Sequence, residues 1–110
     1  MANTDSLGEQ IQRAFTDARV VKTLNTTFVN VMVQPTLLSG PTNLFPAGDD
    51  SDAKATALGL LREFGWPEEA VIDLGGIRAA RGTEMYMPLY FTLAGLFGTF
   101  ELNINVTRAA

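Results

Sequence analysis

Residues 18–27 read ARVVKTLNTT, and the reading of this run decides the fold. Val20, Val21 and Leu24 give it the character of a strand buried on both faces, as in a parallel sheet. It then ends abruptly in Asn25, Thr26 and Thr27. Open α/β sheets bind ligands outside the carboxyl ends of their strands, so a polar trio at that position is expected to line half of a ligand site. No G-x-G-x-x-G phosphate loop precedes the run or occurs anywhere else in the chain.

Composition narrows the chemistry. A chain of 110 residues is expected to form one domain, which at this size buries roughly 65% of the surface its unfolded chain exposes. The chain has no Cys and no His. Disulfides and thiolate metal sites are thereby excluded, and the commonest metal ligand and neutral-pH base is missing. The formal charge of −4 comes without any Lys/Arg cluster, which argues against a nucleic-acid partner and against attraction to anionic membranes. The start, MANTDSLGEQ, is polar and lacks the layout of a signal peptide. A soluble, cytoplasmic protein is expected.

Around the opening run the elements alternate. Ser6 and Glu9 stand at capping-box spacing. Leu7, Ile11, Ala14 and Phe15 follow at helical intervals, predicting a helix that packs this face and keeps Gln10, Gln12, Arg13 and Asp17 wet. Residues 19–24 are then a strand. Residues 28–33, FVNVMV, suit either a strand or a short helix stopped by Pro35, and residues 34–41 read as a loop. Residues 43–47 are a second strand, at an edge or an end because Pro46 cannot donate to a ladder. Asp49, Asp50, Ser51 and Asp52 supply capping oxygens and negative charge to the next helix, with Ala53, Ala57, Leu60, Leu61 and Phe64 as its apolar face and Gly65 as its stop. Three acids at a helix start are read as caps, with no metal site. AVIDL, residues 70–74, is a third strand, turned by Gly75 and Gly76.

From Ile77 a long helical stretch begins. Its apolar part, residues 85–97, is well short of the roughly 20 residues that span a bilayer, so a buried or subunit-facing helix is expected, kinked or broken at Pro88. FELNINV, residues 100–106, alternates and suits a terminal strand. Arg81 and Glu84, three apart, are read as a surface pair. Lys22 is expected to cap or pair near the sheet end, and Trp66 to be a core or hinge residue. The order is that of the second half of a doubly wound, mostly parallel α/β domain.

NTDSLGEQIQRAF, ARVVKTLNT, AGDDSDAKATALGLLREFGWP, VIDLGGI and ARGTEMYMPLY, in this order, resemble the C-terminal half of the NADPH-dependent coenzyme F420 reductase family, especially its actinobacterial NAD(P)-binding members. The resemblance covers nearly the whole chain and implies a partial Rossmann-like fold. Residues 1–110 would be a single domain, the half that lacks the N-terminal glycine-rich βαβ unit. It further implies NADP(H) and coenzyme F420 as cofactors, and hydride transfer between them. By the same resemblance Asn25, Thr26, Thr27 and Val29 approach the nicotinamide and deazaflavin rings, and Met85 belongs to an apolar wall of that pocket. Phe28 departs from the small or polar residue expected beside them.

Hydride transfer between two cofactors needs positioning more than a protein nucleophile, so no catalytic side chain is assigned. The missing phosphate loop removes the main anion-binding site for a dinucleotide. Asn25, Thr26 and Thr27 also admit a plainer role, closing a turn through side-chain to backbone hydrogen bonds. Two functions follow from these readings: a reductase half contributing the ring pocket, or a non-catalytic interaction or dimerisation module. Expected partners are the small-molecule cofactors and either further copies of the chain or the missing N-terminal half. Neither nucleic acid nor membrane is among them.

Overall fold

The computed structural model describes residues 4–109. Helix α1 (Leu7–Ala14) starts where the capping spacing predicts, with the Glu9 amide donating to Ser6 Oγ at 3.1 Å. The Glu9 carboxylate does not complete the usual reciprocal box. It accepts from the Ser6 hydroxyl at 2.8 Å and from both Arg81 Nε (2.8 Å) and Arg81 Nη2 (2.9 Å). The helix therefore docks by its Gly8–Glu9 side. A Cβ at Gly8 would sit 3.2 Å from Ile77 Cδ1 and 3.3 Å from the Ala80 Cβ, so glycine is what permits this approach. The face expected to be buried points outward instead, with Leu7, Ile11 and Phe15 exposed. A two-pronged ion pair and a close backbone approach on one side outweigh the apolar periodicity on the other.

The sheet is smaller than expected. Strand β1 (Val21–Lys22) pairs antiparallel with β2 (Ala47–Gly48), Val21 opposite Gly48 and Lys22 opposite Ala47. Residues 44–48 also run alongside residues 70–75 in parallel, bridged at Leu44 and Val71. Leu44 N donates to Ala70 O (3.0 Å), Ile72 N to Leu44 O (2.8 Å), Leu74 N to Pro46 O (2.9 Å) and Gly48 N to Gly75 O (2.9 Å). Pro46 has no N–H to return, so the ladder breaks in its middle. The expected mostly parallel sheet is thus corrected, among the described residues, to two short antiparallel strands and one parallel bridge. Residues 100–106 form no terminal strand either. The Asn43 amide occupies the positions a ladder would use, accepting from Val106 N at 2.6 Å and donating to Ala70 O at 3.0 Å, while its own N–H meets Ile104 O at 2.9 Å.

Residues 29–33 resolve as helix α2 (Val29–Val33), followed by a 3-10 turn at Pro35–Leu37. Helix α3 (Ser51–Glu63) is capped by Asp50, whose Oδ2 accepts from Ala53 N at 2.7 Å. It ends in a Schellman closure, with Gly65 N bonded to Arg62 O (3.0 Å) and Trp66 N to Leu61 O (3.1 Å). Gly65 sits at φ +103°, a conformation L side chains rarely adopt. The closure swings Trp66 into the core with Val31, Leu44, Leu61 and Ala70, and the indole N–H donates to Met32 O at 2.8 Å. The buried stripe of α3 is rotated from the expected one: Leu61 is buried and Leu58 packs on the core, while Leu60 and Phe64 face out.

The last stretch is broken as Pro88 predicts. A 3-10 turn (Ile77–Ala79) leads into α4 (Ala80–Met85), and α5 (Met87–Phe97) begins after Tyr86 with Pro88 in its first turn. Tyr90 and Ala94 are the buried residues of α5. Tyr90 stacks on Phe100 with ring centres 6.3 Å apart and donates its hydroxyl to Phe100 O at 2.7 Å, while Phe28 stacks on Phe100 at 5.6 Å. Phe28 is thus an anchor for the tail.

Candidate functional site

The polar trio after β1 forms a tight turn. Leu24 is in the left-handed region at φ +66°, the one non-glycine residue there among the described residues. This conformation costs about 1–2 kcal/mol for an L side chain. It is held by the packing of Leu24 against the core and by Thr27, whose N–H (3.2 Å) and hydroxyl (3.1 Å) both donate to Leu24 O. Thr27 therefore closes the turn, and Thr26 and Thr27, 3% and 5% exposed, present almost no surface to solvent.

Asn25 projects toward the junction of α4 and α5. Its Nδ2 donates to Thr83 O at 3.0 Å and lies 3.9 Å from Met87 Sδ. Its Oδ1 is buried without a hydrogen-bond partner, and so are Thr23 Oγ1 and the Tyr86 hydroxyl on the same two stretches. Buried polar atoms are seldom left unpaired, and these three fall on the two stretches that Asn25 joins, with a fourth at Asn103 Oδ1. Burial raises the Tyr86 phenol above its ordinary pKa, with neighbouring Tyr90 adding to the shift. The two apolar candidates are open: Val29 is 54% and Met85 40% exposed. The structure thus brings the Asn25 turn against the stretch carrying Met85, and leaves Val29 on the outer side of α2. Thr23 and Tyr86 were not predicted from the sequence, because an orphaned hydroxyl is visible only in three dimensions.

The charged residues nearby are engaged with each other. Glu84 does not pair with Arg81, as its spacing predicts. Its carboxylate accepts from Leu7 N (2.7 Å) and Gly8 N (3.1 Å) at the start of α1 and faces Lys22 Nζ at 3.5 Å, while Arg81 holds Glu9. The Arg81 guanidinium is the main reason the Glu9 carboxyl lies below its usual pKa. Asp50 caps α3, and Asp49 Oδ1 accepts from Ile77 N at 2.9 Å.

The predicted residues differ in access: Val29 and Met85 are open, while the Asn25 amide oxygen is buried. The starts of α1, α3 and the Ile77 turn are each already occupied by a carboxylate of this chain, which disfavours a pyrophosphate at those three positions. A hollow of about 260 Å³ lies elsewhere, between Leu38, Pro41, Trp66, Pro67 and Asn105, and takes in none of the five predicted residues. Among the described residues no group of three or more His, Cys, Asp or Glu side chains is placed to hold a metal, and no helix is long and apolar enough to cross a membrane.

No protein-family model and no curated protein matches the chain. A solved structure does. The chain is 47% identical to a protein from Arthrobacter sp. FB24 described as a "putative F420 dependent NADP-reductase", over 96% of its own length and with a TM-score of 0.89. It spans 47% of that protein, about half. The kinship implied by the sequence motifs is borne out at this level, and with it an α/β fold of the reductase kind.

Proposed function

From this kinship with an F420-dependent NADP reductase, we propose that the chain furnishes the ring-side wall of a hydride-transfer pocket for NADP(H) and a deazaflavin. The observation that carries the reading is Asn25: its amide is tied by Nδ2 to Thr83 O while Oδ1 is left unpaired, on a turn strained at Leu24. Strain and orphaned polar groups held together by the surrounding packing are characteristic of ligand sites. Asn25 orients a ring edge, Val29 and Met85 offer it apolar contact, and Thr26 and Thr27 build the turn beneath. The bound cofactors supply the hydride chemistry themselves. The pyrophosphate is held by a glycine-loop segment outside these 110 residues. In this reading the chain is one domain, the C-terminal half of a cytoplasmic reductase.

Binding measurements test this. A deazaflavin and NADPH are titrated separately into the wild type and Asn25→Ala. The proposal expects weak binding of the deazaflavin, reduced about tenfold by the substitution, the scale of one lost hydrogen bond. Equal binding by both proteins, or none at millimolar ligand, removes it.

A second reading is favoured by a separate observation. Leu7, Ile11 and Phe15 on α1 and Leu89, Phe91, Leu96 and Phe97 on α5 are all exposed. Apolar surface on this scale suits an interaction or dimerisation module that needs no cofactor.

A further inference from the structure

We infer that Glu84 is a positioning residue for the ring-side wall: together with Lys22 it holds the strained turn that carries Asn25. The turn is fastened to α4 at two points. Lys22 Nζ faces Glu84 Oε2 at 3.5 Å, and three residues further on Asn25 Nδ2 donates to Thr83 O at 3.0 Å. The two anchors on α4 are consecutive residues. Between the two fastened residues of the turn stands Leu24, in the left-handed region at φ +66°. An L residue persists there only where its surroundings over-determine it, and fastening the chain on both sides of Leu24 to one stretch of helix does so. Met85 directly follows Glu84, so the same fastening sets its place relative to Asn25.

The Glu84 carboxylate is itself fixed. Its Oε1 accepts from Leu7 N at 2.7 Å and its Oε2 from Gly8 N at 3.1 Å, so the first turn of α1 holds both oxygens, and the positive end of the helix dipole meets the negative charge. The Lys22 and Glu84 side chains are each 22% exposed, which spares the pair much of the screening that an exposed pair suffers. A glutamine at position 84 keeps an oxygen for the α1 amides but sets no charge opposite Lys22. Helix α1 has a second attachment in the Glu9–Arg81 pair, so its docking and the Lys22 contact are separable.

The meaning of this clamp for a ring ligand rests on the pocket reading above, whereas the posture of the turn is read without any ligand, so the two fail separately. In magnetic resonance spectra of the whole chain, the Asn25 side-chain amide protons of Glu84→Gln and of Lys22→Met are expected to exchange with solvent about tenfold faster than in the wild type, the scale of a hydrogen bond to a charged group. Lys22→Arg keeps the charge and retains the wild-type rate. Combining Glu84→Gln with Lys22→Met is no faster than either change alone, as the loss of one shared contact requires. Arg13→Ala, which breaks the separate Arg13–Asp5 pair, leaves the rate unchanged. Deazaflavin binding weakens about tenfold in the same two single variants. An unchanged rate in Glu84→Gln, additive effects in the combined variant, an equal increase with Arg13→Ala, or a deazaflavin affinity indifferent to variants that loosen the turn overturns the role of Glu84. A wild type that binds no deazaflavin removes the pocket reading instead, and the ligand-free rates still decide for or against Glu84.

Discussion

Asn25 donates its side-chain amide to the carbonyl of Thr83 at 3.0 Å, joining the turn after β1 to a helix 58 residues further along the chain. This single bond places the polar turn beside the α4–α5 junction. Asn25→Ala removes it, leaves a part-buried carbonyl unpaired and is expected to lower stability by about 1 kcal/mol. Denaturant midpoints of the two proteins measure the difference.

The Schellman closure after α3 sets Trp66 into the core through Gly65, at φ +103°. Gly65→Ala forces a Cβ into a conformation that disfavours it and is expected to cost about 1–2 kcal/mol. Pro35, 3.7 Å from the added carbon, is far enough away that the loss measures backbone strain rather than a clash. Thermal unfolding with calorimetry checks it.

Trp66→Phe keeps an aromatic ring in the core but orphans Met32 O, which now accepts from the indole at 2.8 Å. A loss of about 2 kcal/mol is expected from the unpaired carbonyl and the smaller ring. Trp66 is the sole tryptophan. Wild-type fluorescence is therefore expected to be blue-shifted when folded and to move to the red in the same transition that circular dichroism reports.

Acid stability follows from two carboxylates. The Arg13 guanidinium holds Asp5 at a pKa of about 2, and Arg81 holds Glu9 below its usual value. A carboxylate depressed in the folded state contributes fully above its unfolded pKa and loses that contribution as pH falls through the folded one. Denaturant midpoints are expected to fall between about pH 4 and about pH 2. Arg13→Ala and Arg81→Ala are expected to flatten that fall.

The phenols run the other way. Burial raises both Tyr86 and Tyr90, the only two tyrosines of the chain. An acid whose folded pKa is raised stabilises the protein below its unfolded value and ceases to do so as pH climbs through the folded one. Ultraviolet titration is expected to show both ionising above the usual phenol value of about 10, with stability falling over the same range.

Local signals in the sequence were legible where chemistry is local. Ser6, Asp50, Gly65 and Pro88 each mark a helix start, stop or break that the structure contains. Lys22 pairs at the sheet end as its position implied. Long-range choices were not legible. Periodicity put Leu7, Ile11 and Phe15 inside, but Gly8 and the Glu9–Arg81 pair turned α1 the other way. Strand propensity predicted a larger sheet, but Pro46 and the Asn43 side chain take the hydrogen-bond positions a ladder needs. The turn at Asn25 was recognisable as polar and strand-ending. Its left-handed Leu24 rests on core packing, and the bond that ties Asn25 in place reaches a residue 58 positions away.

The proposed role is that this chain offers a wall for the rings of NADP(H) and a deazaflavin and leaves their phosphates to be held elsewhere. Amide-resolved magnetic resonance tests it directly, by titrating the whole chain with a deazaflavin and, separately, with 2′-phospho-ADP-ribose, which carries the phosphates of NADP without the nicotinamide. The account predicts shifts confined to residues 23–29 and 83–87 with the deazaflavin and none with the phosphate compound. Shifts at the starts of α1, α3 or the Ile77 turn with 2′-phospho-ADP-ribose, or no response of residues 23–29 to millimolar deazaflavin, would contradict it.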